Sequence, residues 1–429
     1  MATLETPTKL RELQRTLYQK AKKEPRYRFY ALYDKVYRSD ILEHAYALAR
    51  RNAGAPGPDG MTFEAIEQEG RSGLLEKLRE ELKTKRYRPG PVRRVYIPKQ
   101  NGGERPLGIP NIRDRVVQTA AKLILEPIFE ADFEDDSYGF RPRRNAHQAL
   151  EAIETALKEG MCWVIDADIT AYFDTIPHDR LMKAVAERVV DGSMLALIKM
   201  FLEAPIVEDG GTPRRNTQGT PQGGVISPLL ANIYLHLLDR NYRRNVEAGR
   251  LQDGRLIRYA DDYVVLTRKN PTATRQWIEG VLRKLGLTLN TTKTRIVTAW
   301  NQTFDFLGHT IRYRGGGVRW DVARKGLARI RDKVRRHTRD TSRSLEELVK
   351  AMNRYIVGAR QYFRRVYARR LSKLDRFVLE RFARWWARKH SIPGPAWSLV
   401  KGGALHHQHG LERWHIRRGF ARTTSRPSR

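Results

Sequence analysis

The sequence predicts an α+β protein, on three observations. Segments with apolar residues every three or four positions dominate both ends of the chain, and short β-prone runs interrupt them in the middle. Two of those runs carry acids where the strand ends, a costly placement for a charge without a partner. The last quarter is periodic and strongly basic, with 29 Lys and Arg against 8 Asp and Glu from residue 321 onward.

The bulk properties narrow the function classes. A chain of 429 residues, 40% of them hydrophobic, predicts two to four domains with ample core. A formal charge of +33 far exceeds what solubility requires and points to a polyanion, nucleic acid before an anionic membrane surface. No apolar run approaches the roughly 20 residues that span a bilayer. The N-terminus lacks the apolar core of a secretion signal, which together with a single cysteine predicts an intracellular, cytoplasmic protein. Cys162 alone allows neither an internal disulfide nor a cysteine-rich zinc site, and its apolar surroundings make it a small core residue.

Residues 1–55 read as helices, with Leu10, Leu13 and Leu17, then Ile41, Leu42, Ala45 and Leu48, at helical spacing; Asp40 with Glu43 is placed to cap the second. The Gly/Pro-rich 53–60 is a loop. Residues 86–110 predict a β-hairpin, with Val92, Val95 and Ile97 on one arm, Leu107 and Ile109 on the other, and Asn101-Gly102-Gly103 between. Lys99 and Arg105 flank that turn, either as an exposed basic tip or as two cations that close over a triphosphate. A helix follows over 111–130. The loop after it contains Arg141-Pro142-Arg143-Arg144, with Arg141 and Arg143 as backbone-phosphate contacts.

Cys162 to Ile165 form a short strand, and Asp166 and Asp168 follow on one side by alternation; spacing does not choose between them, and either can cap the next turn. Residues 217–239 pair a Gly/Pro loop with an apolar helix, Ser227 as N-cap and Pro228 at the first helical position. In 256–266 two β-prone runs flank Asp261 and Asp262, a hairpin with both acids at its tip. That tip is a solvated turn or the seat of a divalent cation, which relieves the mutual repulsion. A helix over 274–285, a turn at Asn290 carrying Lys293, and a strand pair in 304–317 lead to a domain boundary at Gly315–Gly317. Beyond it Leu345, Leu348, Val349, Met352, Ile356, Ala359, Phe363 and Val366 form an apolar helical face. Arg360, Arg364, Arg365, Arg369 and Arg370 crowd the other sides as a phosphate-binding surface. The tail holds His406, His407 and His409, three residues able to ligate metal, and ends in a disordered composition.

If the strand before Asp168 pairs with the Asp261–Asp262 hairpin, three carboxylates converge. Such a cluster suits a two-metal site for nucleotidyl transfer, and with the basic segment it describes a template-directed polymerase. The motif order resembles a bacterial group II intron reverse transcriptase of the maturase type. The resemblance runs from about Gly54 to about Trp397, through GAPGPDG, YRPGPVRRVYIPKQNGGERPLGIP, SYGFRPRRNAH, DADITAYFDTI, GTPQGGVISPLLANIYL, RYADD, LNTTKT and FLGHTI. Each motif alone is weak; eight in order are specific.

The resemblance implies a right hand of fingers, antiparallel palm sheet and α-helical thumb. It divides the chain into an N-terminal helical extension (1–55), fingers (56–160), palm (161–315), basic thumb or maturase domain (318–395) and tail (396–429). It implies two Mg²⁺ ions at Asp168, Ile169, Asp261 and Asp262, with Asp166 outside. Lys99, Arg105, Gln222 and Lys293 then face the incoming dNTP. Phe173 takes the place of a steric gate against the ribose 2′-hydroxyl. The implied partners are an RNA template, a DNA or RNA primer, dNTPs and a structured intron RNA, with no membrane, and the implied site of action is the bacterial cytoplasm, or the nucleoid when DNA is the target. The zinc-supported HNH nuclease of many relatives is expected to be missing, given one cysteine and a short tail. Two other functions fit the same motifs: a splicing maturase with a vestigial polymerase, and a domesticated reverse transcriptase.

Overall fold

The structure, a computed structural model, describes residues 4–98, 103–208 and 211–414, without the side chains of 368, 369 and 402. Ten strands are described: β1 (Val92–Pro98), β2 (Glu104–Ile109), β3 (Trp163–Ala167), β4 (Ile206–Val207), β5 (Gly254–Tyr259), β6 (Asp262–Thr267), β7 (Arg295–Thr298), β8 (Phe304–Phe306), β9 (His309–Arg314) and β10 (Gly317–Val322). Helix makes up 51% of the described residues and strand 14%, so small sheets sit among many helices. The chain divides into two compact units between Ile296 and Val297.

In the first unit the helix Ile112–Glu130 is buried on almost every side, with Val116, Val117, Ala120, Ala121, Ile124 and Leu125 fully inside. The helices Thr8–Lys23 and Ser39–Asn52 pack against it through Leu10, Leu17, Ile41, Leu42 and Ala45. Lys20, Lys22 and Lys23 close the first of these, where cations complement the negative helix end. The second starts at Ser39, one residue before the cap expected from sequence. Asp40 lies within its first turn and takes the Arg38 guanidinium at 2.7 Å instead.

β1 and β2 form the expected hairpin, Val95 opposite Leu107, and β4 joins β1 in parallel. The second sheet has the order β5-β6-β3-β7. Val164, Ile165, Val264, Val265 and Leu266 are fully buried in it, which explains why these strands read as continuous apolar runs.

The second unit holds a β8-β9-β10 sheet and the helices Arg324–His337, Leu345–Tyr362 and Ala368–Lys389. Its β9–β10 hairpin includes the glycine run at which the sequence suggested a boundary. Gly315 and Gly316 adopt positive φ in the turn that joins β9 to β10, so the glycine run folds a hairpin inside this unit. The apolar face expected to continue through Val366 is also broken. The helix opened by a Ser344–Glu347 capping box ends at Tyr362, and Arg364 and Arg365 lie in the turn that follows. The chain after 396 is packed as far as Trp414, which is fully buried against Tyr355. Among the described residues no helix is long and apolar enough to cross a membrane.

Candidate active site at the acid-bearing strands

β3 runs antiparallel to β6 with Ala167 opposite Tyr263. Asp168 directly follows Ala167 and Asp262 directly precedes Tyr263, so the two acids leave the paired strands at the same end, where the Asp168 charge reaches Asp262. β5 and β6 are joined by the two-residue turn Ala260-Asp261, closed by Tyr259 opposite Asp262, and Ala260 has a φ of +59°. Sequence predicted this hairpin and its tip; the sheet order supplies the neighbour that brings Asp168 to them.

The acids act on one another. Crowding by protein withdraws water from Asp262, and Asp261, Asp168 and Asp166 add their negative field, together pushing its carboxyl up to about 6. Its side chain still reaches solvent, so the acidic neighbours are the firmer cause. Burial raises Asp261 as well, with Asp168 adding to the rise, while its own backbone amide, Arg105 and Arg258 oppose it. Asp168 Oδ2 accepts from Lys293 Nζ at 3.0 Å, and Asp166 is paired with Arg295 Nε at 3.0 Å. Ile169 is buried and bridges to Leu289, leaving only its main chain to offer a ligand atom.

Around these acids, Phe173 sits in the short helix Tyr172–Thr175. The buried Tyr172 anchors that helix by donating from its hydroxyl to the Ala231 carbonyl at 2.6 Å. Phe173 meets Phe140 edge-on, with ring centres 6.5 Å apart, and lines a groove of about 350 Å³ with Arg94, Pro106, Gly219 and Pro221. Gln222 donates to Asp174 at 3.1 Å, and its carbonyl accepts from Gly108 of β2 at 2.5 Å. Arg105, exposed on β2, is close enough to act on both Asp261 and Asp262. Lys99 lies outside the described residues. Ser227 is the first helical residue rather than the cap, and its hydroxyl donates to the Pro221 carbonyl, tying the glycine loop to the helix Ser227–Glu247.

Residues 97–311 match the reverse transcriptase (RNA-dependent DNA polymerase) family, and residues 327–402 the group II intron maturase-specific domain. The chain is 38% identical to Protein YkfC of Escherichia coli, over 72% of this chain and 90% of that protein. The chain belongs to the group II intron reverse transcriptases. It is also 33% identical to the group II intron-encoded protein LtrA of Lactococcus lactis, over 71% of this chain but 59% of that longer protein. A solved apo telomerase from Candida tropicalis overlaps 56% of the chain and 58% of its own, at 16% identity and a TM-score of 0.44.

Reverse transcriptases use divalent metal ions, and the donor chemistry here fits one: hard carboxylate oxygens gathered so closely that Asp261 and Asp168 push Asp262 up, a repulsion that a cation relieves. Among the described residues no three His, Cys, Asp or Glu side chains stand as a finished metal cage. A hard cation held by one or two carboxylates plus substrate phosphates does not need one, and Lys293 occupies Asp168 in the meantime.

The basic residues expected on nucleic acid divide sharply in this reverse transcriptase. Arg141 is a correction. Its guanidinium is buried and fully engaged, with three contacts to the Glu130 carboxylate and two to the carbonyls of Glu134 and Ser137. It fastens a loop and offers no surface to phosphate. Arg143 is exposed. In the second unit Arg360 donates from Nη1 to Glu412 and to the Arg413 carbonyl. Arg365 stacks over Trp320 at 5.5 Å and Arg370 pairs with Asp321 at 3.3 Å, whereas Arg364 is exposed. The Arg369 side chain lies outside the described residues. The tail histidines form no metal cluster among the described residues, and His406 Nδ1 is hydrogen-bonded to the Leu411 carbonyl. Sequence reasoning overlooked Arg258, whose signal was a cation inside the apolar run Leu256 to Leu266.

Proposed function

We propose that the chain extends a primer on an RNA template with dNTPs, using two Mg²⁺ ions held by Asp168, Ile169, Asp261 and Asp262. We also propose that its second unit binds a structured intron RNA and assists splicing and mobility. The observation that carries this reading is the register of β3 on β6, Ala167 opposite Tyr263, which leaves Asp168 at the same sheet end as Asp261 and Asp262 and near enough to act on both, within the span that matches the family. The ions, when bound, supply charge neutralisation for the triphosphate and a lowered pKa for the primer 3′-hydroxyl. The chain's own residues do the rest. Arg105, with Lys99, draws the triphosphate toward the acids, and Lys293 moves from Asp168 to a phosphate oxygen as substrate enters. Phe173 stands where a ribose 2′-hydroxyl collides with its ring, and Gln222 supports the nascent base pair from a loop braced on β2 and Asp174. The matches to LtrA and to the maturase-specific domain support the intron RNA as partner, and the bacterial relatives support a cytoplasmic setting, with the nucleoid when DNA is the target.

Primer extension on an RNA template, with and without Mg²⁺, tests the reading. Wild type is expected to incorporate dNTPs only with the metal, and Asp261→Asn or Asp262→Asn to abolish incorporation while RNA binding persists, because affinity comes from a separate basic surface. RNA binding by wild type without any incorporation would replace this reading with that of a splicing factor whose polymerase is vestigial.

A further inference from the structure

The turn that carries Asp261 is held from behind by a buried polar assembly that neither metal nor substrate needs to touch. Arg258 of β5 has no solvent exposure. Its Nε donates to both Asp239 carboxylate oxygens at 2.9 Å and its Nη2 to Oδ2 at 2.5 Å, Asp239 lying on the helix Ser227–Glu247. Arg258 Nη1 donates to the Ala260 carbonyl at 2.9 Å and to Asn232 Oδ1 at 2.8 Å. Asn232 Nδ2 in turn donates to the Gly139 carbonyl at 2.8 Å. Gly139 closes the ring, because a Cβ there would stand 2.2 Å from the Ala260 amide nitrogen, so only glycine allows this backbone to lie on the turn. The same loop edges β5: Arg258 N donates to Asp136 O and Tyr138 N to Arg258 O, both at 2.8 Å.

Stability is a poor reason for this arrangement. A buried ion pair is often matched or bettered by apolar side chains of similar volume, and the strands around it are apolar. What the assembly specifies is geometry. Ala260 keeps a left-handed φ of +59°, a conformation non-glycine residues hold only when their surroundings impose it. The two-residue hairpin turn asks for that conformation, and Arg258 is the buried group bonded to the carbonyl of the residue that adopts it.

We propose that Arg258, Asp239 and Asn232, with the Gly139 backbone, form a clamp that holds Ala260 left-handed and so aims Asp261 at the reacting phosphates. They are positioning residues for polymerisation, and the proposal rests on the polymerase reading above.

The test uses the full chain. Arg258→Ala would leave Asp239 buried and unpaired, so the informative variants are the apolar double replacement Arg258→Met with Asp239→Leu, and Asn232→Ala. Four quantities are measured for each: thermal midpoint, kcat and KM for dNTP, primer–template affinity, and amide exchange at residues 259–262. A clamp predicts a double variant that melts near wild type and binds primer–template normally, with kcat reduced by about 10²-fold at nearly unchanged KM. It also predicts exchange at the turn faster by roughly tenfold. Asn232→Ala moves the same two readouts in the same direction, and it carries the test if the double variant does not fold. Wild-type kcat, or wild-type exchange at the turn, in a folded variant overturns the clamp, as does a kcat loss that merely follows the thermal midpoint. If wild type extends no primer at all, the polymerase reading falls and the exchange arm alone decides whether the turn is clamped.

Discussion

Asp166 and Asp168 share one side of a strand end but not one set of neighbours. Asp168 raises the carboxyls of both Asp261 and Asp262, whereas Asp166 acts on Asp262 and is paired with Arg295. Asp168→Asn is therefore expected to cost several kcal/mol of transition-state stabilisation, as a lost metal ligand does, and Asp166→Asn much less. Phe173→Ala opens the space beside its groove and is expected to admit ribonucleotides; the three variants run on one RNA template decide the register. A dead Asp166→Asn beside an active Asp168→Asn would shift the assignment by two residues. A second contrast concerns two arginines of one motif. Arg141→Ala leaves the largely buried Glu130 unpaired and is expected to cost about 3 kcal/mol in denaturant unfolding. Arg143→Ala, at an exposed site, should stay within about 0.5 kcal/mol.

At the scale of elements, the glycine loop before the helix Ser227–Glu247 is shaped by the β1–β2 hairpin. Gly223 has a φ of +113°, and a Cβ there would lie 2.3 Å from the Gly108 carbonyl. Gly223→Ala must therefore push the hairpin away from the loop that carries Gln222. Backbone strain of about 1–2 kcal/mol at such a position corresponds to roughly a tenfold rise in KM for dNTP, with RNA affinity unchanged. An equal loss of RNA affinity would mean that the whole unit, and not the hairpin contact, had given way. The same contact explains a limit of sequence reading. The PQGG stretch was legible as a close-approach loop, but what it approaches lies more than a hundred residues earlier in the chain.

Whole-molecule behaviour follows from charge and from buried titratable groups. Binding to duplex DNA is expected to weaken with salt at a slope near 0.9 per phosphate neutralised. The exposed Arg364 should contribute to that slope. Arg360 should contribute less, because its Nη1 is held by Glu412 and the Arg413 carbonyl; titrating salt against Arg364→Gln and Arg360→Gln separates them. Acid sensitivity has a named source in His236, which burial and then Arg240, Arg258, Arg141 and Arg243 hold down at about 3. Its folded pKa is depressed, so the stability it contributes is present above about pH 6.5 and is lost as pH falls toward 3, by at most about 1.4 kcal/mol per unit. Asp132, raised to about 6 chiefly by burial, works the other way, its penalty easing as pH falls from 6 toward 4. His236→Leu should flatten the loss of thermal stability between pH 7 and 5; a parallel profile for variant and wild type would place the acid-sensitive group elsewhere.

The sequence by itself determined the fold class, the β1–β2 hairpin, the Asp261–Asp262 tip and the family, because these are local: strand alternation, turn chemistry and motif order are written in consecutive residues. It could not say which acids meet. Asp168 and Asp166 are equivalent by alternation; the family resemblance favoured Asp168, but the physical difference between the two, the pairing of β3 with β6 and of Lys293 and Arg295 with one acid each, belongs to the folded chain. It also misjudged arginines. Arg141 and Arg364 look alike in a basic stretch, yet one is sealed under a loop by Glu130 and two carbonyls while the other faces solvent. Arg258 went unnoticed for the opposite reason: the Asp239 that neutralises it sits on a helix 19 residues earlier, a partnership that exists only once helix and strand are packed together.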